Sequence, residues 1–580
     1  MRRIFFIHAF SILLILPCCA QPEIHYWLKV DTTDTTGYAV EMQLTHVAHH
    51  FQLAMATHHE YDDRFWRFVR NIHVESTGGK GIVLRTDSAV WDVTIPGTDA
   101  VISYRIQLPG PRRFAHQPFL SSYGGLLGDI HSFLYLVGQT KIPSTVTFRL
   151  PKGWQIATGL ERKDDSTFTA SSAEILMDCP VLTGYLHRWN FMAKGVPHTI
   201  AWLPVAGAPA FDTALLVASV QRIVIQSVNL FGSAPYKHYT FLFEDGVNGA
   251  LEHANSVAIG APATLLASRM QDLYEEIAHE FLHTWNLMSI KPGEYTVLNY
   301  GPKERSAGLW FSEGLTMFYA DLLVRRAGLP CEDSTPTKHL ETLIGRYYAD
   351  TGNRVLSPAA VSLASNEAPG RLGDYSASTH LQGELLGAML DLLIRHATRG
   401  TRSFDDVMRL MYKRFGGKEG FYTQDVERAV KHVCASDEVH AFFQKYIYEG
   451  KALDFEPYLR LIGLRLQLSY SPAVDDKGRL KVDDRLYIWQ PEGDSVYHLG
   501  ITDPRSCWVR SGLHTGDALV TINGRLINSR QNFNEVLRGL NIGDRVIVQI
   551  EHSGRSEKLL VEITGYEIPV AHLNPTKQQD

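Results

Sequence analysis

The chain has 580 residues, 45% hydrophobic and 20% charged, which is the composition of a soluble protein of about three or four domains. A formal net charge of −6 provides no basic footprint and argues against a nucleic-acid partner.

Taken in chain order, Met1-Arg2-Arg3 precedes an apolar run, Ile4 to Ile7 and Ser11 to Leu16, with Cys18-Cys19-Ala20 before Gln21. That is the charged start, apolar core and small-residue cleavage site of an export signal covering residues 1–20. The run is short for a membrane span, so the mature chain is expected to carry none and to be periplasmic, secreted or at the cell surface. Cys18 or Cys19 is the alternative, as a lipid-attachment cysteine, although Pro17 matches that signal poorly.

Residues 21–188 alternate with period two, as in Tyr38–Leu44, Ala89–Ile95 and Val101–Ile106, between Gly, Pro and Asp turns; an antiparallel β domain is expected. The pairs His49-His50 and His58-His59 fall here without ligand spacing and read as surface residues. From 189 to 463 helical periodicity dominates, with one clear strand at 239–243 and helices expected at 268–288, 308–327, 380–398 and 403–415.

The first of these helices carries His279, Glu280 and His283 in Glu276-Ile277-Ala278-His279-Glu280-Phe281-Leu282-His283-Thr284-Trp285-Asn286. Residues four apart share a helix side, so both imidazoles can hold one metal while Glu280 stays free to act on water. Glu313 is the one carboxylate in the apolar start of the next helix, beside Trp310, Phe311 and Leu315; a buried carboxylate there needs a partner or a metal. Gly314 next to it implies close packing against another element. Two imidazoles and a carboxylate are the ligands of a catalytic zinc, which keeps an open position, and one Zn2+ per chain is expected.

Past residue 464 short strands return, and Gly516-Asp517 and Asn523-Gly524 turns flank the strand between them; the module spans 464–570, with a tail at 571–580. Beyond the signal the cysteines are Cys179, Cys331, Cys434 and Cys507. Four thiols allow three pairings, among which the sequence does not choose; buried or partly paired structural cysteines are the favoured reading.

These residues resemble the glycyl aminopeptidases, zinc peptidases with a β domain, a thermolysin-like catalytic domain and a C-terminal PDZ domain. The resemblance rests on His279-Glu280-x-x-His283-Thr284-Trp285-Asn286, Trp310-Phe311-Ser312-Glu313-Gly314, Gly249-Ala250-Leu251-Glu252-His253, the helices containing Asp391–Arg395 and Asp405–Met408, and the PDZ-like Gly512-Leu513-x-x-Gly516-Asp517 and Ile522-Asn523-Gly524. It implies a multidomain α+β fold: an antiparallel β domain, a mostly helical zinc peptidase domain and a PDZ-like domain. It implies further that His279, His283 and Glu313 bind zinc and that Glu280 is the general base. Gly249, Ala250 and Glu252 would bind the substrate backbone and its free ammonium; the family's second glycine is here Ala250. Where the family places an oxyanion-binding tyrosine this chain has His380, with Tyr375 the nearest alternative donor. The PDZ-like module would hold a peptide carboxylate near Leu499-Gly500-Ile501. The expected activity is removal of small N-terminal residues, Gly or Ala, from peptides; a zinc endopeptidase and a peptide-binding protein with a decayed hydrolase site are the alternatives.

Overall fold

The computed structural model describes residues 22–58, 64–110, 114–295, 298–365, 367, 370–491, 494–552 and 554–576; the expected signal at 1–20, with Cys18 and Cys19, lies outside them, as do His59 and the end of the tail. Alternation in the N-terminal part builds one eight-stranded sheet and two four-stranded ones around a common core. β1 (Glu23–Lys29) pairs antiparallel with Gly37–Thr45 and, on its other edge, parallel with β2 (Ser144–Arg149), so the domain is antiparallel apart from that pair. Its short helix α1 (Ala173–Met177), capped by the Ser172 hydroxyl, carries Glu174, which pairs with Lys291 of the next domain at 3.3 Å.

The helical middle domain is built on more sheet than the sequence suggested. β3 (His187–Ala193), β4 (Val196–Leu203), β5 (Tyr239–Glu244), β6 (Ala250–Glu252) and β7 (Ser256–Gly260) form one five-stranded sheet, in the order β3-β4-β5-β7-β6. β5 and β7 are buried at every position, so they lack the alternation that marks half-exposed strands. α2 (Thr213–Phe231) runs between β4 and β5, capped by Asp212 at its start and by Gly232 in the left-handed conformation at its end. Among the described residues it is the one helix long and apolar enough to cross a membrane; its buried face belongs to the catalytic core.

The expected helix 268–288 is shorter. A 3-10 turn at Met270–Leu273 leads into α3 (Tyr274–Leu282), and the chain then turns, with Leu287 at φ 138°. α4 (Leu309–Ser312) and α5 (Gly314–Arg326) follow, then α6 (Pro336–Ala349) and α7 (Thr379–Ala397). α5 and α7 cross where Gly314 meets Gly383: a Cβ on Gly383 would lie 2.0 Å from the Trp310 carbonyl oxygen and 2.6 Å from the Gly314 Cα. Only glycine permits that approach, which bears out the close packing expected at Gly314.

The C-terminal module hangs from a two-stranded ribbon, β8 (Leu464–Pro472) paired antiparallel with β14 (Glu567–Pro575). Ala571 and Leu573 of that ribbon are buried in the catalytic core, whereas the module between its strands has a core of its own. Within it β9 (Leu486–Trp489), β10 (Tyr497–Ile501), β11 (Ala518–Ile522), β12 (Arg545–His552) and β13 (Arg555–Glu562) form a sheet in that order, with α8 (Arg530–Arg538) between β11 and β12. This corrects the expected peptide-carboxylate loop. Leu499, Gly500 and Ile501 lie inside β10: they pair with Ile488, Tyr487 and Leu486, while the Leu499 N–H donates to the Asp517 carbonyl and the Ile501 N–H to Thr515 Oγ1. Their backbone is committed on both edges, and β9 is the edge strand. None of the four cysteines is paired; Cys179, Cys434 and Cys507 are buried and Cys331 half-buried.

Candidate active site

α3 opens with Glu275 and Glu276, whose charges suit a helix N-terminus, and buries Ile277, Ala278, Phe281 and Leu282 in the catalytic core. That packing fixes the roll of the helix and turns His279 and His283 towards α4 and α5. His279 Nε2 and His283 Nε2 stand 2.9 Å apart. Glu313 Oε2 lies 3.5 Å from the first and 3.4 Å from the second. His283 Nδ1 sits 2.9 Å from the Asn286 carbonyl oxygen; donating there leaves the Nε2 lone pair facing the cluster. Asn286 in turn donates through its amide to the Phe311 and Ser312 carbonyls and to Thr316 Oγ1, all at 3.1 Å, so one buried side chain locks the histidine segment to the segment that carries Glu313.

The electrostatics fit a cation. Burial, with His283 beside it, pushes His279 down to about 4, leaving that ring neutral. Burial acts against the charge on His283 as well, but Glu313 outweighs it and holds that ring well above its ordinary value, so a metal binding at Nε2 would take the place of a proton there. Burial alone would raise Glu313; His283, His279 and His380 together keep it well below the usual carboxylate range. Two imidazoles and an ionised carboxylate thus converge on one point, and Glu313 Oε1 is buried with no hydrogen-bond partner. This donor set fits a zinc ion with an open position.

Glu280 and Glu252 border the same point: Glu252, Glu280 and His283 each offer an atom within 4.8 Å of the others'. Glu252 is buried at the end of the edge strand β6, which pairs with β7 through Ala250 and Ile259 and through Glu252 and Val257. Gly249 precedes it at φ 82°, a left-handed conformation that favours glycine, and its carbonyl accepts from the Gly260 N–H. His380, in the first turn of α7, is half-exposed, with Nε2 3.1 Å from Glu313 Oε2. Tyr375 is in the loop before α7 and makes no hydrogen bond to the cluster among the described residues.

Two residues that position this site were assigned no role from the sequence. One is Asn286, whose three acceptors lie 25 or more positions away. The other is Asp178, which follows α1 and accepts from the Ala254 N–H at 2.9 Å, with His253 Nδ1 3.3 Å away. The N-terminal domain thereby holds the segment after Glu252.

A cavity of about 190 Å3 opens beside Glu252, between the two domains. Its walls include Ile130, Ile175 and Met177 on one side and Leu287, Met288 and Leu298 on the other.

Residues 25–185 match the Peptidase M61 N-terminal domain, residues 272–385 the M61 glycyl aminopeptidase and residues 472–563 a PDZ domain. No curated protein sequence matches the chain. Among solved structures, an aminopeptidase N family protein from Idiomarina loihiensis aligns over 96% of this chain and 98% of its own, with a TM-score of 0.75 at 20% identity. An M1 zinc metallopeptidase from Deinococcus radiodurans aligns over 76% of this chain and 97% of its own, with a TM-score of 0.49 at 17% identity. The N-terminal domain and the catalytic segment of the M61 glycyl aminopeptidases and a PDZ domain are thus matched in sequence order along this chain, which is a zinc peptidase of that kind.

Proposed function

We propose that this protein is an exported aminopeptidase holding one zinc per chain, which hydrolyses the first peptide bond of substrates with a free amino terminus. The observation that carries this reading is the buried Glu252, an anionic side chain held by β6 within reach of Glu280 and His283. A substrate ammonium bound to Glu252 brings the first peptide bond over the metal ligands and leaves no room for chain on its amino side. His279, His283 and Glu313 would hold the zinc, which when bound supplies a Lewis acid for the scissile carbonyl and acidifies water. Glu280 takes the proton of the attacking water and delivers it to the leaving amine. His380 donates to the developing oxyanion, with Tyr375 the alternative donor. The family supports glycine and alanine as residues removed. The N-terminal Arg2-Arg3 and the apolar run after it support export, which fractionation of cells expressing the full chain tests.

The deciding experiment compares peptides with free and acetylated amino termini. Acetylation is expected to abolish cleavage, and Glu252→Ala to weaken use of free-amine substrates by up to a few kcal/mol. Equal cleavage of both would favour an endopeptidase, and no cleavage by the zinc-loaded protein a peptide-binding role.

A further inference from the structure

We propose that the outer face of the C-terminal module's sheet is where two copies of this chain meet, about a two-fold axis that crosses Ile547 and Leu560, whether or not the chain is an aminopeptidase. In β12, Val546, Val548 and Ile550 are buried in the module's own core, as Val561 of β13 is, so the residues between them face outward. An antiparallel sheet with one face in water ordinarily carries polar residues on it. Here Ile547 and Leu560, directly paired across the two strands, are 49% and 58% exposed. Leu526, 57% exposed, shares that face: it pairs with Thr521 of β11, which pairs on its other side with Gln549. Three large aliphatic groups gathered on one sheet face mark an interaction surface, unlike apolar residues exposed singly.

The charges around this patch point to a second copy as the occupant. One step along the strands from Ile547 and Leu560, on the same face, stand Gln549 and Lys558; one step the other way stand Arg545 and Glu562. A half-turn about an axis running across the strands through the apolar pair exchanges those two rows. Leu560 then faces Leu560 of the second copy, and each Lys558 faces a Glu562. That is the self-complementary pattern of an isologous interface, an apolar centre with matched charges beside it. Within one chain Glu562 has Arg545 at 3.9 Å, with both side chains largely exposed, so it can accept a second cation. The copies meet face to face and do not extend one another's sheet. β13 is the last strand, but just past it the Thr564 carbonyl accepts from the Asp483 N–H at 2.8 Å, which closes that edge. A patch of this size fits a weak, reversible dimer and not an obligate one.

The test is sedimentation equilibrium of the zinc-loaded full chain at concentrations up to about 100 µM, which captures weak association. A reversible equilibrium between monomer and dimer is expected. Leu560→Asp, which brings two carboxylates together on the axis, should weaken it at least about a hundredfold, and Lys558→Glu or Glu562→Lys alone at least about tenfold, since like charges then meet. Lys558→Glu combined with Glu562→Lys should restore most of the association, because opposite charges face each other again. All three positions are exposed, so urea unfolding midpoints should move only by the small amounts usual for surface substitutions. A chain that stays monomeric throughout overturns the proposal. So does a dimer untouched by Leu560→Asp, which would meet elsewhere, or a double variant that associates no better than either single one, which would show that Lys558 and Glu562 do not face each other.

Discussion

Glu313 meets three imidazole nitrogens within 3.5 Å, and the division of labour among them follows from what else each ring touches. His283 is fixed by the Asn286 carbonyl and His279 by burial, whereas His380 is half-exposed, meets Glu313 Oε2 and stacks on the His279 ring with centroids 5.8 Å apart. Glu280 is the one acidic side chain of the motif left to move a proton. Glu280→Gln is therefore expected to keep one zinc per chain by elemental analysis and to lose turnover by about 10²–10⁴-fold, the usual worth of a positioned base. A variant near wild-type rate would remove Glu280 from the chemistry. His380→Ala should lower kcat by about 10²–10³-fold with little change in KM, since an oxyanion donor acts in the transition state, and His380→Tyr should restore part of the loss. If instead Tyr375→Phe cripples the enzyme and His380→Ala does not, Tyr375 is the donor. His279, Glu280, His283 and Glu313 were legible in the sequence because helical spacing and one isolated carboxylate are local signals. Asp178 was not, because its partners His253 and Ala254 lie 75 and 76 positions away in another domain.

At the level of elements, the sequence placed α3, α5 and α7 well and misjudged where α3 ends. Apolar spacing continues through Trp285, so periodicity alone runs the helix to 288; Asn286 ends it by donating its amide to the Glu313 segment. Of the strands of the catalytic sheet β5 was legible at 239–243, whereas β7, buried at every position, shows no period of two. α6 and α7 are joined by His339, whose Nε2 stands 3.0 Å from Glu384 and whose Nδ1 faces Asp333 at 3.4 Å and Asp321 at 4.0 Å. Burial works against its charge, but the Glu384 hydrogen bond and the charges of Asp321, Glu384 and Glu275 raise it to about 9. Arg325 faces the same group through Asp321. A folded pKa above the unfolded value near 6.5 means that this stabilisation is complete below that value and is lost as pH rises through about 9. His339→Gln should thus destabilise the chain by about 2 kcal/mol at pH 6 and by much less at pH 10, read from urea unfolding. An equal effect at both pH values would show that the ring acts by packing alone.

Over the whole molecule, the PDZ-like module was legible as a fold from its Gly-Asp and Asn-Gly turns, but not its docking, which depends on residues more than a hundred positions apart. Asp374, in the loop before α7, accepts from the Thr515 N–H at 2.7 Å and stands 2.8 Å from His514 Nδ1. Two residues on, the Ser376 N–H donates to the Thr502 carbonyl at 2.8 Å, and Ser378 then caps α7 through the Leu381 N–H. Arg505 reaches back to the Ala349 carbonyl at the end of α6. The module is therefore a bracket for the segment that carries Tyr375 and His380, tied to the catalytic core at its other end by the ribbon of β8 and β14. Asp374→Ala is expected to loosen that segment, seen as faster amide exchange across 370–382, and to lower kcat by about tenfold while leaving zinc content at one per chain. Asp374→Asn keeps an acceptor for the Thr515 N–H and should recover most of the rate. Unchanged exchange and unchanged kcat in Asp374→Ala would mean that α7 is held in place by the Gly314–Gly383 crossing alone and that the module has no part in catalysis.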